Sequence, residues 1–249
     1  MKYDCHVEIS DFFDASSIYG RSWAILCAEK LSNYLISRQL RPVLIISKQF
    51  CNIDSYISSI LAELEPSCRV VASVAAFTDK AEIVELDRVG VRGVCVKFER
   101  SEMPVFLDRI YAIDQIIPST WHMEILAPWS QVINFGASLA RIRRSFVVHC
   151  YLKNFVNPGV VDLDRLRWWS GMGNLYVKFL GEFPKLSDGS FNNICQILGL
   201  INISRDRVVW GSCWPVPLNA NELLSDNRFA AISGYERDFE LNARELYEF

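Results

Sequence analysis

Histidine is scarce in this chain, three residues in 249, and several things are missing altogether. No apolar stretch approaches the roughly 18 residues that span a membrane. The opening MKYDCHVEISDF puts polar residues where a secretory leader needs an apolar run, so no membrane association is expected. Positive charge is not in excess. Lys and Arg number 26 against 29 Asp and Glu, a net −3, which excludes the basic footprint of a nucleic-acid binder. The eight cysteines form no Cys-x-x-Cys pair and no short disulfide framework. In a chain this long that pattern suits reduced thiols and a cytoplasmic protein. Linkers rich in Pro or Ser, low-complexity tracts and repeats are also absent, so residues 1–249 read as a single domain. A GxGxxG fingerprint after the first strand is lacking, which argues against a doubly wound dinucleotide-binding sheet.

What is present is apolar and periodic. Hydrophobic residues make up 51% of the chain, enough for a sizeable core. Eight β-branched runs read as strands: 3–9 (YDCHVEI), 41–47 (RPVLIIS), 69–75 (RVVASVA), 91–98 (VRGVCVKF), 120–126 (TWHMEIL), 145–151 (SFVVHCY), 175–181 (LYVKFLG) and 207–213 (RVVWGSC). The gaps between them are long enough for crossover helices, as parallel pairing requires. Three show helical features. RSWAILCAEKLSNYLISRQ has an apolar stripe at 3.6-residue spacing, DKAEIVELDRVG opens acidic and closes on Gly, and ERDFELNARELYEF reads as a closing helix. Eight strand–helix units in this length predict an α/β fold, the (β/α)8 TIM barrel, whose sites form at the C-terminal ends of the strands.

The three histidines, His6, His122 and His149, fall in predicted strands 1, 5 and 6, toward the C-terminal half of each. Alternation along a strand puts Glu8 on the face of His6, with Cys5 and Val7 on the other. Strand 4 repeats the arrangement with Cys95 and Lys97, strand 7 offers Lys178 and strand 8 offers Cys213. One strand histidine is commonly a hydrogen-bonded core residue, one lysine a snorkelling rim residue, and one cysteine a small buried hydrophobe. Trp121, Trp210 and Trp214 serve equally as wedges between barrel and helices. Convergence of the polar set on one cavity favours a site, because a purely structural core tolerates few such groups.

Together these segments resemble the amidohydrolase-2 group of the amidohydrolase superfamily, in particular the branch of 2-pyrone-4,6-dicarboxylate lactonases and related small-lactone hydrolases. The matching pieces, in family order, are DCHVEISDFF, GVRGVCVKF, TWHMEIL, FVVHC, LYVKFLGEF, RDRVVWGSCWP and LNARELY. By position, Asp4 and His6 match the family's opening Asp-x-His, while His122 and His149 match its strand 5 and strand 6 histidines. Lys178 and Gly181 match the strand 7 motif, and Gly211, Trp214 and Pro215 frame the strand 8 turn. Four positions depart. Glu8 stands for a second histidine, Val148 for an Asp, Cys95 for a substrate-binding Arg, and Cys213 for the Asp that serves the family as general base.

The resemblance therefore implies a hydrolase or acyl-transfer enzyme acting on a small lactone or other activated cyclic ester, with Cys213 in place of the usual catalytic Asp. Its catalytic set is Cys213, His149, His6, Glu8 and Lys178: the thiol as nucleophile, a histidine taking its proton, and Lys178 favouring the thiolate. His122, Lys97, Trp214, Phe12 and Tyr19 are expected to meet the substrate, a small planar molecule bearing acid or phenol groups. Arg92 has the opposite parity to Cys95 and is expected to point outward, and Trp121 likewise cannot share the face of His122. No cofactor is needed on this reading. One alternative places a zinc or manganese ion on His6, Glu8, His149 and Cys213, for metal-dependent hydrolysis or decarboxylation of a small aromatic acid. Another is a barrel retired from hydrolysis to binding or rearrangement. The chain is too lean for large capping insertions, which leaves room for a homodimer in which a neighbouring subunit covers the mouth.

Overall fold

The structure, a computed structural model, describes residues 2–9, 35, 40–47, 68–74, 79–98, 105–128, 131–132, 135–151, 171–180, 205–212 and 236–248. Eight strands are present: β1 (Lys2–Ile9), β2 (Leu40–Ser47), β3 (Arg69–Val74), β4 (Val91–Lys97), β5 (His122–Leu126), β6 (Phe146–Tyr151), β7 (Leu175–Leu180) and β8 (Val208–Gly211). Each pairs with the next in parallel, in chain order, and β8 returns against β1. That is the expected (β/α)8 barrel.

The two faces of the sheet have separate partners. Outward-facing Leu44, Val70, Val94, Met123 and Val148 pack with Ile83 and Leu86 of helix α1 (Lys80–Arg88) and with Phe106, Ile110 and Ile113 of α2 (Phe106–Ile116). Inward-facing Cys5, Val43, Val71, Cys95, Val147, Tyr176 and Val209 form a second cluster. Side chains from seven strands can meet in one cluster only inside a sheet that has curled on itself. Trp121 is an outer wedge, as its parity requires: it is buried among the outer residues and donates from Nε1 to Asp87 Oδ1 at 3.0 Å. Arg92 is half-buried and bonds the same aspartate.

Local chemistry explains the helix ends. Asp79 caps α1 by accepting from the Glu82 N–H at 2.9 Å, and Gly90 beyond its C-terminus has φ 96°, a conformation that favours glycine. A short helix, α3 (Gly136–Leu139), precedes β6, and a 3-10 turn (Arg205–Arg207) leads into β8. The closing helix α4 (Glu236–Tyr247) has Ala243, Leu246 and Tyr247 in the inner cluster. Asn242 Nδ2 donates to Val208 O at 2.8 Å, and Arg69 Nε donates to Tyr247 O at 3.0 Å. Those partners open β8 and β3, so α4 plugs the N-terminal end of the barrel. Of the helix predicted over residues 21–39, only Leu35 lies among the described residues.

The strict alternation expected for strand 1 does not hold. Asp4 pairs with Pro42 and Val7 with Leu44, so Cys5 and His6 together oppose the single Val43. This is a β-bulge. It resets the parity, so Cys5 joins the inner cluster, Val7 faces the outer helices, and the ring of His6 still lies edge-on to His149. Asp4 secures the bulge. Its Oδ1 accepts from the N–H of His6 at 3.2 Å and from that of Ser212, just past β8, at 2.8 Å. Gly211 completes the seam: a Cβ there would lie 2.3 Å from the Cβ of His6.

Candidate active site

Inside the barrel the polar groups gather around Glu124, which is not among the residues expected from the sequence. Its carboxylate is fully buried. Lys178 Nζ donates to both of its oxygens at 2.6 Å. His149 Nε2 lies 2.6 Å from Oε2, Tyr247 OH donates to Oε1 at 2.9 Å, and His122 Nε2 is 3.4 Å from Oε1. Three strands and one helix supply this set. Glu124 and His122 come from β5, His149 from β6, Lys178 from β7 and Tyr247 from α4. His149 and Lys178 are direct register partners across β6 and β7.

The electrostatics follow from this packing. Burial alone would push the Glu124 carboxyl up. The Lys178 ammonium and the bonds from His122 and His149 outweigh it, holding the group well below the usual carboxylate range. Glu124 is therefore an anion with its lone pairs committed. Burial pulls His149 down to about 3; the pull of Glu124 opposes this, and Lys178 and His6 add to it. His149 is thus neutral near pH 7, and a neutral ring that bonds a carboxylate through Nε2 must carry its proton there. Its Nδ1 is then a bare acceptor, buried and with no hydrogen-bond partner among the described residues. Burial, then Glu124, pushes the Tyr247 phenol well above its ordinary value, so it remains a donor. The Cys5 thiol is also pushed up, chiefly by burial, and is inert.

Of the residues singled out from sequence, His6, His122, His149 and Lys178 come together here. The rings of His6 and His149 meet edge-on with centroids 5.0 Å apart. His122 opens β5, at the floor end, rather than lying in the strand's C-terminal half. Its ring fits because Gly93 stands opposite: a Cβ at Gly93 would lie 2.5 Å from His122 Cε1. The ring stands at 89° to that of Tyr247. Lys97 is half-buried at the end of β4, where its carbonyl accepts from Arg109 Nη1 at 3.4 Å. Glu8 lies opposite Ile45 in the register, but its side chain, and Cys213, Trp214, Phe12 and Tyr19 entirely, lie outside the described residues. Glu124 had a readable signal, being an ionisable residue on the same face of the same strand as His122. Tyr247 had none, since it reaches the site across 123 positions of sequence.

The donor atoms of His6, Glu124 and His149 lie within 4.8 Å of one another, a metal-like spacing. Glu124, the acid of the set, is already engaged. The Lys178 ammonium already holds both carboxylate oxygens, and His149 turns a proton toward the same group. A metal on Glu124 would have to displace the lysine, whereas the bare Nδ1 of His149 stays open to one.

The fold and this inward-facing cluster define a (β/α)8 barrel with a buried polar centre, and comparison with solved structures finds the same barrel in several proteins. A protein of Acinetobacter baumannii, described as a probable 2-pyrone-4,6-dicarboxylic acid hydrolase and solved with citric acid bound, aligns over 100% of this chain and 99% of its own, with TM-score 0.69 and 16% identity. A second provisional assignment of the same hydrolase, from Pseudomonas putida, aligns over 99% and 97%, with TM-score 0.68 and 18% identity. An amidohydrolase 2 from Bifidobacterium longum subsp. infantis aligns over 100% and 99%, with TM-score 0.59 and 14% identity. These carry the names of the group that the strand motifs resemble, and the likeness is one of fold. No family model matches the chain, and no curated protein is similar to it in sequence.

Proposed function

We propose that the chain is a hydrolase of a small lactone or other activated cyclic ester, working without a metal. One observation carries the reading. His149 is held by Glu124 at 2.6 Å through Nε2, which leaves the buried Nδ1 as the acceptor. A carboxylate that fixes the tautomer of a histidine and stabilises its protonated form is the arrangement that nucleophilic acyl transfer uses. Cys213, the residue after Ser212, is the nucleophile on this reading. Its thiol proton passes to His149 Nδ1 as sulfur bonds the ester carbonyl. The ring C–O bond then breaks, and the leaving oxygen takes the proton back. Water, deprotonated by the same nitrogen, cleaves the thioester to a hydroxy acid and restores the thiol. Glu124 does not exchange protons; it orients the ring and offsets part of what burial costs the transient imidazolium.

An acidic substrate suits the reading, since the Acinetobacter neighbour was solved with a tricarboxylic acid. Lys178 is not the group that meets it, because its charge is spent on Glu124. Lys97, at the C-terminal end of β4, faces the end of the barrel where substrates enter. Retirement from catalysis is disfavoured by what has been kept. A buried carboxylate, lysine and three histidines are costly to maintain in a core that could be apolar.

The test is a panel of lactones and thioesters offered to the protein and to Cys213→Ser, with metal content measured on both. Turnover lost in the variant, with Tm unchanged and no stoichiometric metal in either, is the expected result. Unaltered turnover in Cys213→Ser removes the thiol from the mechanism. One zinc or manganese per chain, with turnover abolished by a chelator, replaces the scheme with metal-assisted hydrolysis.

A further inference from the structure

We infer that Tyr247, carried on the closing helix, is a positioning residue for the Glu124–His149 pair, so that α4 forms the floor of the active site as well as covering the barrel's end. The inference rests on the proposed role of that pair, and the geometry behind it is separate.

Glu124 is at the end of a side chain with three rotatable bonds, and its usefulness depends on which oxygen faces His149. Lys178 bonds both oxygens at 2.6 Å and so fixes the charge without choosing between them. Tyr247 does choose, donating to Oε1 at 2.9 Å, the oxygen that His122 Nε2 approaches only to 3.4 Å, and leaving Oε2 to His149. The phenol is itself held on three sides. Its ring meets His122 edge-on at 4.9 Å, the Lys178 ammonium lies 5.3 Å from its centroid, and its backbone carbonyl accepts from Arg69 Nε at 3.0 Å. A merely structural tyrosine at a helix end needs one partner for its hydroxyl. This one is aimed into the barrel and ends on the group that orients the base.

The test is Tyr247→Phe, which keeps the ring and removes the donor. With only three histidines in the chain, imidazole resonances are few enough to assign singly. In the unaltered protein the His149 Nε2 proton should be far downfield and slow to exchange with water. In Tyr247→Phe it should exchange at least about tenfold faster, the factor expected for one lost hydrogen bond. The backbone amides of Val147 and Val177 on the flanking strands should keep their protection, which general loosening of the core would not allow. Unchanged exchange of the His149 proton overturns the inference. Should Tyr247→Phe not fold, Arg69→Met releases the helix end without touching the ring; it should raise the same exchange rate, and failure to do so is equally decisive. Turnover is scored separately. Loss of protection in a protein that hydrolyses no lactone keeps the role of Tyr247 and removes the hydrolase reading. Turnover with protection unchanged does the reverse.

Discussion

Lys178 and Glu124 show what a single pair can decide. Both side chains are fully buried, so neither charge has water to fall back on. Replacing Lys178 with Met would leave Glu124 an anion in the core, and removal of one partner of such a pair costs on the order of 3–5 kcal/mol. Urea unfolding of Lys178→Met should show a loss of that size, and Glu124→Leu in the same background should recover part of it. A loss below about 1 kcal/mol would mean that the carboxylate finds solvent after all. At this scale the sequence was partly legible. Three histidines and a lysine stood out because ionisable groups are rare within β-branched runs. Glu124 obeys the same rule, while the bulge that turns Cys5 inward leaves no mark in composition. The proposed nucleophile, Cys213, rests on position in the sequence.

Among the elements, the strands announced themselves most clearly. All eight runs became strands with ends within two residues, because buried parallel strands select Val and Ile nearly continuously. The helix after Asp79 is legible from its acidic opening and its glycine, and the closing helix from its place at the end of the chain. The seam between β8 and β1 was not legible, since closure depends on residues 208 positions apart. Gly211 is where that seam is tightest, as a Cβ would meet both the Cβ and the backbone N of His6. Gly211→Ala should therefore cost about 3 kcal/mol, the upper end for overpacking, because one of the colliding groups is backbone. Denaturant midpoints measure this directly. A change under about 0.5 kcal/mol would show that β8 slides freely past β1.

For the molecule as a whole, the buried site predicts a dependence on acidity. His149 drops from 6.5 to about 3 on folding, so between those values the unfolded chain binds a proton that the folded one refuses. Stability is then complete above pH 6.5 and declines as pH falls, by roughly 1.4 kcal/mol for each unit within the window. Glu124 is depressed as well, and its contribution begins to fade below the ordinary carboxylate range. Calorimetry at pH 7 and pH 5 should find the more acidic sample less stable by about 2 kcal/mol. Equal stability would mean that His149 is protonated in the folded state. The bond between Asp4 and Ser212 also carries a consequence in time. During synthesis at roughly 5–20 residues per second, the first strand waits on the order of 10–40 s for its last neighbour to be made. Until then one flank of β1 has no neighbouring strand, and the barrel exists only as an open sheet with two adhesive edges. Both edges then stay open to pairing with another chain until β8 arrives, and crowding among nascent copies is expected to lower the yield of closed barrel.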